Sequence, residues 1–194
     1  MVRPREFNAE DALERAMQLF WAKGYEATSL SDLTAAMGLS KSSLYDTFGS
    51  KHELFLAAMD RYNETVAARR AAGVIDGAKD SRAGIAAVFA AFLDEMVGQG
   101  EKRGCFVNNS AVELAPHDAA VAARVAAGLA HLEESFHGAV RQGQEAGDIA
   151  ERHDARALAR YLTASLNGLV VLAKANPERA ALEEVVGVVL AALD

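Results

Sequence analysis

Gly38-Leu39-Ser40-Lys41-Ser42-Ser43-Leu44-Tyr45-Asp46-Thr47-Phe48-Gly49-Ser50-Lys51-His52-Glu53-Leu54 is the stretch whose reading decides the fold. Gly38 ends one helix, and Leu39 turns the chain with its side chain inward. Ser40 caps a helix expected over Lys41 to Phe48, in which Leu44 and Phe48 stand four apart and share the core face. Lys41, Ser42, Ser43, Tyr45 and Asp46 remain largely outside that core. Such a surface suits a major groove: small polar groups permit close approach, while Lys and Tyr reach phosphates or base edges. Gly49 breaks the helix, and Ser50 with Glu53 three residues on makes a capping box for the next one.

Toward the N-terminus, Ser29 and Asp32 form another capping box, opening a short helix with Leu30, Leu33 and Met37 on its buried side. A longer helix precedes it, from about Asn8 to Lys23. Asn8 is its cap, and Glu10 and Asp11 suit its positive end. Leu13, Met17 and Phe20 recur at helical spacing, with Ala16 and Trp21 beside them. Gly24 supplies the exit, and Tyr25 packs back. Helix, glycine-containing turn and helix make the helix-turn-helix pattern.

Toward the C-terminus, the helix begun at Ser50 carries Leu54, Phe55, Ala58, Met59 and Tyr62 on one side and is expected to reach about Arg70. Ala71 to Ser81, with Gly73 and Gly77, reads as a domain boundary. Further helices are expected over about Arg82–Val97, Cys105–Leu114, Asp118–Gln144 and Asp154–Ala175. Asn176-Pro177 breaks that helix, and a final one carries Leu182, Val185, Val186, Val189 and Leu193. Leu169 to Leu172 and Val185 to Leu190 compete as strands, but both lie within longer helical periods. The expected fold is all-α with about nine helices. Residues 1–50 form the DNA-binding head, linked through a helix over 50–70, and 71–194 form a second, helical body.

Composition narrows the class. With 51% hydrophobic and 24% charged residues, the chain reads as globular and not disordered. No apolar run is long enough to span a membrane, and residues 1–10 lack the apolar core of a signal peptide. A single cysteine excludes an intrachain disulfide and a multi-cysteine zinc site, so a cytoplasmic location is expected. The net charge of −7 opposes nucleic-acid binding, and residues 1–50 hold five Lys or Arg against seven Asp or Glu. The order of the positive charges answers this in part. Arg3 and Arg5 precede the first helix, and Lys41 and Lys51 bracket the third, so a local footprint can be basic. Arg3 and Arg5 read either as an ordinary charged tail or as a minor-groove arm.

The opening stretch, with Leu19-Phe20, Gly24-Tyr25, Ser29-Leu30 and Leu33, resembles the signature of the tetracycline-repressor-like (TetR/AcrR) transcriptional regulators. Gly104-Cys105-Phe106-Val107-Asn108-Asn109, with Glu113 and Asp118, is similar to a subgroup with a cysteine at the start of its sixth helix. In that subgroup the cysteine is sometimes redox- or electrophile-responsive. The resemblance implies a homodimer paired through its last two helices, a pseudo-palindromic double-stranded DNA operator, and a small organic effector that moves the fourth helix. Repression is the commoner outcome. Carried over by position, Tyr45 and Lys51 hold phosphates, Ser29 binds phosphate through its hydroxyl and N–H, and Lys41, Ser42 and Ser43 face base edges. Asp46 and Thr47 depart from the His or aromatic residues common there. Asp46 either accepts from a cytosine amino group or pairs with Lys51.

No catalytic constellation, cofactor motif or metal site is legible, so an enzyme is not expected. His117, His131, His137 and His153 have no pair at metal-binding spacing, and Gly98-Gln99-Gly100 lacks the remainder of a phosphate loop. For an effector pocket the body offers Phe89, Phe92, Met96, Phe106, Phe136 and Tyr161, with Asn109 and Asn167 as polar anchors. The dimer interface is expected at Leu158, Leu162, Leu166 and Leu169, joined by Val185 and Val189. Cys105 reads either as a small buried hydrophobe or as a thiolate sensor activated by its helix start and by Lys102 and Arg103. The competing functional reading is a helical ligand- or protein-binding module without DNA, which burial of Lys41 and Tyr45 would favour.

Overall fold

Short polar side chains start the N-terminal helices of the computed structural model, which describes residues 8–67, 80–97, 103–175 and 178–194. Helix α1 (Ala9–Lys23) begins where Asn8 accepts a hydrogen bond from Glu10 N at 2.9 Å. Helix α2 (Leu30–Met37) opens on a complete capping box. Ser29 Oγ accepts from Asp32 N at 3.1 Å, and Asp32 Oδ2 accepts from Ser29 N at 3.0 Å. Gly38 closes α2 at φ 70°, a left-handed value that favours glycine. Ser40 then caps α3 (Lys41–Phe48) through Ser43 N, and Ser50 caps α4 (Lys51–Tyr62) through Glu53 N. Ser50 N itself donates to Phe48 O at 3.0 Å, so only half of the expected second capping box forms.

The helix expected to reach about Arg70 changes form on the way, and residues 68–70 lie outside the described residues. The α-helix ends at Tyr62, and Asn63–Ala67 form a π-helical turn. No glycine or proline marks that change. Helices α5 (Ser81–Val97), α6 (Phe106–Glu113), α7 (Ala119–Ala146), α8 (Ala155–Ala175) and α9 (Arg179–Ala191) complete nine α-helices among the described residues, with no strand. Asp118 and Asp154 cap α7 and α8 from outside, accepting from Ala120 and Val121 N and from Ala157 N. Among the described residues no helix is long and apolar enough to cross a membrane.

Contacts divide the chain into two units. One holds the residues up to Glu64 together with Phe106–Val125; the other holds Thr65–Cys105 and Ala126–Asp194. In the first, Met17, Phe20, Leu33, Leu44, Leu54 and Met59 are fully or almost fully buried. The inward stripe of α1 takes in Ala12 and leaves Leu13 half-buried. Phe55 meets Phe20 edge-on at 5.0 Å, and Phe106 packs edge-on against both Phe55 and Tyr62 at 5.5 Å. The first residue of α6 is therefore core material for the helix-turn-helix unit.

The second unit packs α5, α7, α8 and α9 around Ile85, Phe89, Leu93, Phe136 and Val140, with Phe89 stacked on Phe136 at 6.0 Å. The leucine stripe of α8 faces this core. Leu158, Leu162, Leu166, Leu169 and, from α9, Val189 are at most 4% exposed within the single chain. These residues, expected at a subunit interface, fill the protomer's own interior, because α5, α7 and α9 already cover that face. Of the six, only Val185 remains open, at 39%. The outward face of α8 carries Tyr161, Ala164, Gly168, Val171 and Leu172, all exposed and spaced three or four apart apart from the adjacent final pair.

Candidate nucleic-acid interface

Helix α3 is anchored by one fully buried side chain, Leu44, with Thr47 and Phe48 half-buried beside it. Lys41, Ser42 and Asp46 are exposed, Tyr45 is 44% exposed, and Ser43 is half-buried. The first turn is tied by hydroxyls. Ser40 Oγ shares hydrogen bonds with Ser42 Oγ at 2.9 Å and Ser43 Oγ at 3.0 Å. A tied turn loses less freedom when it meets a rigid surface.

Ser29 lies exposed at the start of α2, with its hydroxyl and N–H both engaged in the capping box. Asp32 also pairs with Lys23 Nζ at 3.3 Å. Hydrogen bonds from Ser29, and then the Lys23 ammonium, hold the Asp32 carboxyl below its ordinary value. The anion position at this helix start is thus occupied by the protein's own carboxylate.

Lys51, one of whose expected roles was pairing with Asp46, lies over the Tyr25 ring with Nζ 4.2 Å from its centroid. An ammonium on an aromatic face is held by the ring quadrupole at roughly 0.5–1 kcal/mol when exposed. The ring in turn packs edge-on against Phe55 at 5.0 Å. The backbone beneath it is fixed by Glu113 of α6. Tyr25 N donates to Glu113 Oε2 at 3.1 Å, and Glu26 N donates to Oε1 at 2.9 Å. Gly24 has φ 83°, a value that favours glycine, and a Cβ there would sit 2.9 Å from Glu113 Oε2 and push the carboxylate aside. Next to Lys51, His52 Nε2 meets Asp118 Oδ2 at 2.5 Å. Hydrogen bonds from Val121 N and then His52 lower the Asp118 pKa.

From sequence, Gly24 is a helix exit, Tyr25 packs back and Asp118 opens a helix, and none of Tyr25, Glu113, Asp118 and His52 carries a binding role. Their contacts join positions 88 and 66 residues apart, which no local pattern reveals. Arg3 and Arg5 lie outside the described residues.

The expected pocket residues are dispersed. Phe89 and Phe136 are stacked in the core of the second unit, with Phe92 and Met96 half-buried beside it. Phe106 belongs to the aromatic cluster with Phe55 and Tyr62, and Asn109 is half-buried on the same helix. Asn167 Nδ2 donates to Thr163 O of its own helix at 2.7 Å. Tyr161 lines a groove of about 310 Å³ with His153, Ala157, Leu158 and Ala192. Cys105 is half-buried just before α6.

Known proteins share this arrangement. Residues 12–58 match the family model for bacterial regulatory proteins of the tetR family, and residues 82–189 match the tetracyclin repressor-like C-terminal domain. The chain is 33% identical to the HTH-type transcriptional regulator YezE of Bacillus subtilis (strain 168), over 100% of both chains. It is 32% identical to the HTH-type transcriptional repressor ComR of Escherichia coli (strain K12), over 97% of this chain and 90% of that one. A solved structure of a cysteine mutant of the TetR family regulator CifR, complexed with 26-bp double-strand operator DNA, is similar with a TM-score of 0.86. Its identity is 36%, covering 99% of this chain and 100% of that one.

Proposed function

The chain belongs to the tetR family of bacterial regulatory proteins, and on that premise we propose that it is a homodimeric repressor that a small organic effector releases from a two-fold operator. The observation that carries the DNA-binding part is the outward face of α3, where Lys41, Ser42 and Tyr45 stand exposed on a helix anchored through Leu44. Lys41, Ser42 and Ser43 read base edges. Tyr45 and Lys51 hold phosphates, with Ser29 nearby at the start of α2. Residues 1–50 read DNA, the helix from residue 50 links them onward, and 71–194 regulate and dimerise.

The dimer reading rests on exposed apolar surface. Among the described residues, five of the seven exposed large hydrophobics lie on α8 and α9: Tyr161, Val171, Leu172, Val185 and Val188. Apolar surface concentrated in this way marks an interaction face. A second copy of the same two helices covers it and sets two heads at successive turns of the duplex, about 34 Å or a multiple apart.

The effector reading rests on the interior of the second unit. Phe89 and Phe136 stack in its apolar core, and the Thr163 hydroxyl is buried without a hydrogen-bond partner. An apolar interior with one polar group to satisfy suits a small organic molecule. The chain passes between the units at Glu64–Thr65, Cys105–Phe106 and Val125–Ala126, which are the covalent routes from effector to head. Release requires the effector to prefer the conformation that misplaces the heads; a coupling of about 3 kcal/mol weakens DNA binding about 150-fold.

A second reading of the trigger is the Cys105 thiol, favoured by its place directly before Phe106, a core residue of the head's unit. The test of the whole is to select a duplex from a random library, then screen organic compounds and thiol reagents for its release. Release by an organic compound supports the pocket, and release by thiol reagents alone supports Cys105. A duplex that nothing releases removes the regulatory half of the proposal.

A further inference from the structure

We propose that Glu113 is a positioning residue for DNA binding: its carboxylate fixes the turn at Gly24–Glu26, whose tyrosine ring carries Lys51, and so sets the phosphate contact made by that lysine. The inference rests on the reading of Lys51 as a phosphate contact. Three observations converge on it. First, two consecutive backbone N–H groups, of Tyr25 and Glu26, point at the two oxygens of one carboxylate at 3.1 and 2.9 Å. Successive N–H groups directed this way form an anion nest, and bonds to a charged acceptor are the strong ones. Second, the turn is shaped around the carboxylate. Gly24 carries φ 83°, and the position of its missing Cβ lies 2.9 Å from Glu113 Oε2. The Thr28 hydroxyl donates to Gly24 O at 2.6 Å and closes the turn from the other side. Third, Tyr25 is the link. Its N–H is on Glu113, its ring edge is on Phe55 at 5.0 Å, and its face lies under Lys51 Nζ at 4.2 Å.

Near DNA, a carboxylate is unfavourable by simple charge, since it repels the phosphates that the lysine attracts. On charge alone, removing it should strengthen binding. If Glu113 acts by holding Tyr25, removing it weakens binding instead. The opposite signs make the role measurable.

The experiment compares the parent protein with Glu113→Ala, Glu113→Gln, Lys51→Ala and the double variant Glu113→Ala/Lys51→Ala. Each is titrated by fluorescence anisotropy against the duplex the parent selects from a random library, over a series of salt concentrations. Circular dichroism melting identifies folded variants, and Glu113→Gln, of the same shape, serves if the alanine variant does not fold. The expected result for either Glu113 variant is affinity lower by about tenfold, the scale of one charge-assisted hydrogen bond. The salt slope should fall by about 1 as one phosphate contact is lost. In the Lys51→Ala background the same change should cost at most about twofold. An equal loss in both backgrounds, an unchanged salt slope, or tighter binding overturns the inference and leaves the Lys51 reading intact. If Lys51→Ala leaves the parent's affinity and salt slope unchanged, the phosphate reading fails and the Glu113 inference fails with it.

Discussion

His52 Nε2 and Asp118 Oδ2 stand 2.5 Å apart, joining the first turn of α4 to the N-cap of α7. Asp118 also accepts from Ala120 and Val121 N, so one carboxylate caps a helix and grips the residue next to Lys51. Its pKa is held below the ordinary 3.8 by the Val121 N–H first and His52 second. A carboxylate with a lowered native pKa contributes stability that is present above its unfolded value and lost as pH falls through the native one. Asp118→Asn should therefore flatten the acid limb of the stability curve below about pH 4, where the parent protonates. Asparagine is itself a good N-cap, so the helix start survives and the charge is isolated. Melting temperature against pH for parent and variant provides the check, and parallel acid limbs would contradict it.

Phosphate and base contacts separate by variant. Tyr45→Phe and Lys51→Ala should weaken binding to selected and scrambled duplexes alike, and Lys51→Ala should lower the salt slope by about 1. Changes at Lys41 or Ser43 should alter sequence preference, at roughly 1–3 kcal/mol for a base pair read directly. Competition between matched and scrambled duplexes measures both. A Lys51→Ala variant with altered preference and undiminished scrambled-site affinity would reverse the assignment.

Two substitutions on α8 should act differently although both remove apolar surface. Leu166 is 2% exposed in the protomer, so Leu166→Ala should cost roughly 2–5 kcal/mol of folding stability through the cavity it leaves. Leu172 is 52% exposed, and Leu172→Asp should dissociate the dimer while the protomer stays folded, because it buries a charge only in the assembled interface. Sedimentation at micromolar concentration with parallel denaturation distinguishes the two. A parent that sediments as a monomer, or a dimeric Leu172→Asp, would contradict the assignment of this face.

Much of the head was legible because its signals are local. Asn8, Ser29, Ser40 and Ser50 each cap a helix through an amide two or three residues ahead, and Gly38 turns the chain where its φ demands. The same local logic could not say which face of α8 meets which neighbour. A leucine stripe reports burial, and whether the burial lies within the protomer or between protomers depends on α5, α7 and α9. Nor could it see Tyr25 on Glu113, where the bond is set by tertiary packing between distant residues. Phe106 belongs to the same class: its aromatic partners lie on α4, far back in the chain.

The two candidate triggers separate through Cys105→Ser. If an effector pocket controls release, the variant should bind DNA and be released by the same organic compound at the same concentration as the parent. If the thiol is the trigger, the variant should bind DNA and ignore oxidants and electrophiles to which the parent responds. Mobility shift with and without each reagent is sufficient, and loss of both responses in a folded variant would mean that the two routes are not separate.

The most direct test of sequence-specific, dimeric DNA binding through α3 is a footprint of the parent protein on the duplex it selects from a random library. Two protected half-sites should appear, related by two-fold symmetry and centred about 34 Å or a multiple apart along the duplex. Selection that enriches no sequence, or a footprint without two-fold symmetry, would contradict it.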